Sequence, residues 1–227
     1  MLIGVPPIAQ DPQYHAFADT RTLFSVPNFG NVASNLPFLL VGLAGLGLCL
    51  SGRTEGATRA WSVFFAGTAL VAFGSAYYHW APDSAALLWD RLPMTIAFMG
   101  LLTALISEHI GERIERKLLV PAILVGLASA VWWRYTGDLR LYAWVQFAPL
   151  VAILFLLSAF PGRYTHRIYL LYGFVCYALA KVVELGDAHI YSLTSGTASG
   201  HSVKHLLAAG ASFFVYLMLT RRQRVRA

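Results

Sequence analysis

The chain has 227 residues, 57% of them hydrophobic and 12% charged, with a formal charge of +6 and a mean hydropathy of +0.59. Soluble domains hold about 45–50% apolar and about 25% charged residues, so a soluble enzyme is excluded and an integral membrane protein is indicated. The two cysteines, Cys49 and Cys176, lie in separate apolar runs and build no disulfide framework. The bases are scattered through loops and the tail, which suits a membrane protein better than a nucleic-acid binder.

In chain order, Met1–Asn28 has no apolar core bracketed by basic residues and a cleavage site, so no signal peptide is expected. Asp11 and Asp19 in this segment are oxygen ligands of the kind that calcium takes. Seven stretches then approach the roughly 20 residues that span a bilayer: Asn31–Ser51, Ala57–Trp80, Ser84–Ile106, Lys117–Trp133, Leu141–Phe160, His166–Leu185 and His201–Thr220. The expected fold is all-α, one seven-transmembrane-helix domain over residues 1–227. The breaks between spans are short, except Gly186–Gly200. Trp80, Trp133, Tyr135 and Tyr191, near span ends, read as interfacial anchors.

Loop bases set the orientation. With seven spans, eleven fall on one face (Arg53, Arg59, Arg113, Arg116, Lys117, Arg163, Arg167, Arg221, Arg222, Arg224 and Arg226) and three on the other (Arg21, Arg134 and Arg140). The C-terminus is therefore expected in the cytoplasm and the N-terminus outside.

Polar residues inside such spans are costly unless something there needs them. Ser75 and His79 close the second span, Asp90 lies a short way into the third, and His201 and His205 open the seventh. In the expected topology all five lie in the outer half of the bilayer, each histidine and Asp90 within about 10–12 Å of its helix's outer end at 1.5 Å per residue. His201 and His205, four apart, share a helix face. With His79 they make three nitrogen ligands, which leaves a fourth tetrahedral position for water as in catalytic zinc sites; no cysteine is near, so zinc is the expected metal. Asp90 and Arg91 point about 100° apart and do not pair, so Asp90 is free to serve as general base. Ser75, one turn from His79, is placed to stabilise an oxyanion. Asn31, Ser34 and Asn35 read as capping or cross-helix bonding residues, and Lys181 with Glu184 as an i, i+3 pair. His109, His166 and His189 read as interfacial or loop residues. Two other readings use the same histidines: a haem-binding membrane cytochrome with His79 and a span-seven histidine as axial ligands, and a non-catalytic receptor or sensor with a structural metal.

Ser-x3-His ending span two, an Asp eleven residues on, His-x3-His opening span seven and Asn31-Val32-Ala33-Ser34-Asn35 opening span one resemble the alkaline ceramidases. These enzymes belong to a wider superfamily of seven-span hydrolases that includes the adiponectin and progestin receptors. The resemblance covers essentially the whole chain. It implies zinc on His79, His201 and His205, Ser75 and Asp90 beside the metal, and hydrolysis of a lipid amide such as ceramide within the membrane. The family's acid-rich N-terminal calcium site is matched here only by the scattered Asp11, Asp19 and Asn28, and Lys204 stands where an apolar or aromatic residue is usual. The minimal loops resemble a bacterial relative, which implies an inner-membrane protein with its site toward the periplasm.

Overall fold

In a hydrocarbon surround each backbone polar group must be satisfied within its own segment, and the apolar stretches accordingly form helices. The computed structural model describes residue 4 and residues 6–225; the tail residue Arg226, one of the bases that set the expected orientation, lies outside the described residues. The main helices are α1 (Phe29–Ala33), α2 (Leu36–Leu50), α3 (Thr58–Trp80), α4 (Ser84–His109), α5 (Glu115–Thr136), α6 (Arg140–Ala159), α7 (Ile168–Leu185), α8 (Asp187–Leu193) and α9 (Gly200–Arg221). Among the described residues there is no strand, only isolated bridges. The break between α1 and α2 falls at Ser34–Asn35, where Pro37 has no N–H to return to the carbonyl of Ala33. Asp83 and Ser199 cap α4 and α9, accepting from the amides of Ala86 (2.6 Å) and Ser202 (3.0 Å).

Among the described residues, six helices are long and apolar enough to cross a membrane: Phe29–Leu50 taken as one, α3, α4, α6, α7 and α9. Helix α5 has comparable length, but its apolar stretch between Lys117 and Arg134 is diluted by Pro121, Gly126 and Ser129. The expected long polar break after α7 instead contains the short helix α8.

Neighbouring contacts run α2–α3–α4–α6–α7–α9 and back to α2, closing a ring, with α5 against α4 and α6. The ring encloses a cavity of about 430 Å³, to which α5 contributes no lining residue. At one end of the ring, buried Arg222 pairs with Glu108 at 2.7 Å, and Glu108 also accepts from Trp61 Nε1 (2.7 Å) and the Ala57 amide (3.1 Å). Glu115 accepts from the Ala60 amide at 2.8 Å. This network ties α3, α4, α5 and the end of α9 together, and it presents no orphaned charge to the bundle interior. Trp133 departs from the interfacial role expected of it: it is buried beneath the Arg91 guanidinium, 3.8 Å from ring centroid to Cζ, whereas Trp80 and Tyr135 are exposed.

The helix pair that carries Ser75, Asp90 and Arg91, α3 and α4, is set by a backbone contact. Pro93 lacks the N–H that would bond the Trp89 carbonyl, and α3 approaches that carbonyl at Gly74, where a Cβ would stand 2.1 Å from Trp89 O. No side-chain rotation relieves such a clash. Gly74→Ala is expected to destabilise the detergent-solubilised protein by about 1–3 kcal/mol, the usual cost of overpacking, read as a lowered Tm. An unchanged Tm would show that α3 and α4 are not spaced by this contact.

Candidate metal centre

Three helices deliver the site at the end of the ring opposite Arg222. The last two turns of α3 carry Ser75 and His79, the second turn of α4 carries Asp90, and the first turns of α9 carry His201 and His205. All five are buried. The start of α9 is pressed against the end of α7: a Cβ on Gly200 would lie 2.2 Å from Val183 O. Asp187, at the start of α8, then accepts the His201 amide (2.7 Å) and the Ala18 amide (2.9 Å) through its two carboxylate oxygens.

His79, His201 and His205 each direct one ring nitrogen into a common space, all within 4.8 Å of one another. His79 Nε2 and His201 Nε2 are 3.2 Å apart. Two nitrogens on one tetrahedral zinc, each at 2.0–2.1 Å, stand about 3.3–3.4 Å apart. His79 Nδ1, on the side of the ring away from this contact, is buried with no hydrogen-bond partner, so it lacks the outer support common for metal-binding histidines. His205 is oriented from behind. Ser34 Oγ donates to Asn31 O (3.1 Å) and accepts from His205 Nδ1 (2.7 Å), which leaves the Nε2 lone pair facing the other two rings. Such outer hydrogen bonds fix the tautomer of metal-binding histidines. Phe17 covers the cluster, with ring centroids 4.7 Å from His79 and 4.5 Å from His201. Three buried imidazoles with converging lone pairs fit a single borderline-soft ion such as zinc.

Asp90 and Ser75 face one another across the α3–α4 contact and both line the cavity beside His205. From there the cavity descends between the helices to Leu101 on α4 and Val215 on α9, eleven residues below Asp90 and Lys204, or about 16 Å at 1.5 Å per residue. Below the polar end its walls are mostly apolar, interrupted by Thr68, Gln146, Tyr177 and Ser212.

The pair expected within α7 forms, with Lys181 2.9 Å from Glu184. Several contacts went unforeseen. Lys204 reaches both Glu184 Oε1 and His201 Nε2 at 2.9 Å. The N-terminal segment folds over the cluster, and the cross-helix bond expected of Ser34 has a histidine as its partner. The depth argument that selected Asp90 also applies to Ser34; the arrangement of residues 6–28 has no periodicity to reveal it. Asn31 Oδ1 accepts from Ser199 and Ser202, tying α1 to α9. Of the oxygen ligands considered for calcium, Asp11 caps a short 3-10 turn through the Gln13 amide (2.8 Å), and buried Asp19 is held by Arg21 at 2.7 Å. The Arg21 guanidinium beside it keeps the Asp19 carboxyl below the usual carboxylate range. Asn28 donates to His79 O (2.8 Å). Among the described residues, these oxygens do not gather into a group of three acids.

Residues 22–224 match the Ceramidase family. The chain belongs to the ceramidase family. No curated protein matches it. The matched region contains the three histidines, Ser75 and Asp90 but stops short of Phe17, so the N-terminal cover lies outside it. For a ceramidase-family chain with this cluster, metal content is the direct measurement. His79→Ala, His201→Ala and His205→Ala are each expected to lose most of one bound zinc per chain, and His166→Ala none of it. Ser34→Ala should weaken zinc affinity by about 10–100-fold against a chelator. Full occupancy in all three histidine variants would move the metal elsewhere.

Proposed function

We propose that this protein is a zinc-dependent hydrolase that cleaves a lipid amide, ceramide or a similar N-acyl lipid, within the membrane. The observation that carries the proposal is the position of three convergent histidines beside Asp90 and Ser75 at the polar end of an apolar cavity. The cavity is about 16 Å deep, roughly half the 30 Å hydrocarbon core, a depth suited to one leaflet's acyl chain. Family membership supports amide hydrolysis as the reaction class. The haem alternative is disfavoured by the third imidazole. A bis-histidine haem needs its flat macrocycle between its two ligands, and His205 lies 5.0 and 4.9 Å, centroid to centroid, from His79 and His201.

His79, His201 and His205 would hold the ion. Zinc supplies a water nucleophile at near-neutral pH and polarises a carbonyl. The chain's own groups do the rest. Asp90 takes a proton from the attacking water and delivers it to the leaving nitrogen, so that C–N cleavage yields a fatty acid and a free amine. Ser75 donates a hydrogen bond to the oxygen that becomes anionic in the transition state. Phe17 keeps bulk water off the histidine cluster, which strengthens these interactions.

In this reading α5 is a seventh span, the N-terminus is outside, and the site faces the outer or periplasmic side. The loop bases support that orientation. Asp90→Asn should leave zinc bound yet slow release of fatty acid by about 10²–10⁴-fold, the usual contribution of a positioned base. Ser75→Ala should cost about 10²–10³-fold. Zinc loss in Asp90→Asn would make Asp90 a structural partner, and no turnover by wild type across a panel of N-acyl lipids would leave a receptor. For the orientation, a cysteine at Ser195 should react with an impermeant thiol reagent on intact cells, and one at Ser51 should not. The reverse labelling would turn the protein over.

A further inference from the structure

The polar end of the cavity holds three cations, Arg91, Lys181 and Lys204, against two carboxylates, Asp90 and the Glu184 that pairs with both lysines. Arg91, 5% exposed, lines the cavity next to Asp90. Among the described residues no carboxylate lies within ion-pair distance of it. Nη2 donates to Gln10 Oε1 at 2.6 Å, whereas Nη1 is buried with no hydrogen-bond partner. The guanidinium is sandwiched by aromatic rings, 3.8 Å from the Trp133 centroid and 4.6 Å from that of Tyr142. Stacking fixes the plane of the group but does not neutralise it, and a buried charge of this kind is costly without an anion.

Lys204 lines the same cavity from α9. It shares the Glu184 carboxylate with Lys181, each ammonium at 2.9 Å, so one anion serves two cations. Its other contact is the His201 Nε2 lone pair, the one a metal would claim. Arg91, Lys204 and Ser75 together surround Asp90. The remaining acid on the cavity wall, Asp11, is committed to its own turn.

We infer that the substrate's amine portion carries an oxyanion, a carboxylate or a phosphate, which Arg91 and Lys204 bind close to the amide nitrogen. The inference rests on the amide-hydrolase reading and narrows its substrate class. Arg91 offers the planar two-donor fork that oxyanions accept, and Lys204 adds a second charge across the cavity. In the reaction the water oxygen joins the acyl carbon and the C–N bond breaks. The fatty acid retains one water hydrogen, the nitrogen receives the other, and the released amine keeps its anion. An N-acyl amino acid and an N-acyl aminoalkyl phosphate both have this form. Ceramide, a neutral amide, does not.

The test uses the zinc-loaded full chain in detergent and three ligands with a sulfonamide in place of the amide, so that none is hydrolysed. They are N-hexadecylsulfonyl glycine, N-hexadecylsulfonyl ethanolamine and the O-phosphate of the latter. Calorimetric titration should find at least one anionic ligand bound about 10–100-fold tighter than the neutral alcohol, the worth of one charge-assisted hydrogen bond. Which anion binds tighter distinguishes the carboxylate from the phosphate source. Arg91→Gln and Lys204→Gln should each reduce the preference by about tenfold or more, and Arg91→Lys should restore part of it. If Arg91→Gln does not fold, Lys204→Gln decides. Equal or tighter binding of the neutral alcohol would overturn the inference, as would a preference that survives both substitutions. Because binding is read without turnover, absence of hydrolysis across N-acyl lipids would refute the hydrolase reading and leave this outcome separately readable.

Discussion

A polar side chain inside a bundle surrounded by hydrocarbon has no water to return to, and must find its partner within the protein. The two ends of this helical ring meet that constraint differently. At the Arg222 end the charges are paired: Glu108 accepts from Arg222, Trp61 and the Ala57 amide, and the helices that carry them are locked together, with only Arg222 Nε and the hydroxyls of Thr54 and Ser107 left without partners among the described residues. At the other end the demand is left partly open. His79 Nδ1 and Arg91 Nη1 are buried without partners, and two imidazole nitrogens meet at 3.2 Å. A closed network stabilises a bundle. An open one of this composition is where a ligand would bind.

Behind two of the histidines lies a layer of the kind that orients metal-binding imidazoles. Ser34 sets the His205 tautomer and is itself tied to Asn31 O. Asn31 takes hydroxyls from Ser199 and Ser202 at the start of α9, and Asp187 holds the His201 amide. The polar residues of α1, α8 and α9 thus form one connected support. Neutral groups do most of this work, so the support adds little charge to the membrane interior. Asp187 is the charged member of that support, while Arg91, Lys181 and Lys204 line the cavity wall, where charge would select what is bound.

Backbone geometry brings the two halves of the site together. Pro93 frees the Trp89 carbonyl, Gly74 lets α3 come down upon it, and Ser75 consequently meets Asp90 from the neighbouring helix. The N-terminal segment then closes the end of the ring, with Phe17 over the rings and the Ala18 amide on Asp187.

The amino-acid sequence by itself determined that this is a helical membrane protein, where the apolar segments lie, and which five polar residues share one depth. Composition decides the first, apolar run length the second, and the common rise of the helix the third. It also placed the Lys181–Glu184 pair, because i, i+3 geometry is local. Only the tertiary structure decided that α5 lies outside the cavity, that Trp133 is a stacking platform for Arg91 rather than an interfacial anchor, and that Lys204 leans on His201. It likewise decided that Asp19 belongs to Arg21 and that residues before the first span cover the site. Each of these depends on which faces meet after the helices assemble. No periodicity within one helix encodes that, because membrane helices are apolar on nearly every side and their facing is chosen by close contacts such as Gly74 against Trp89.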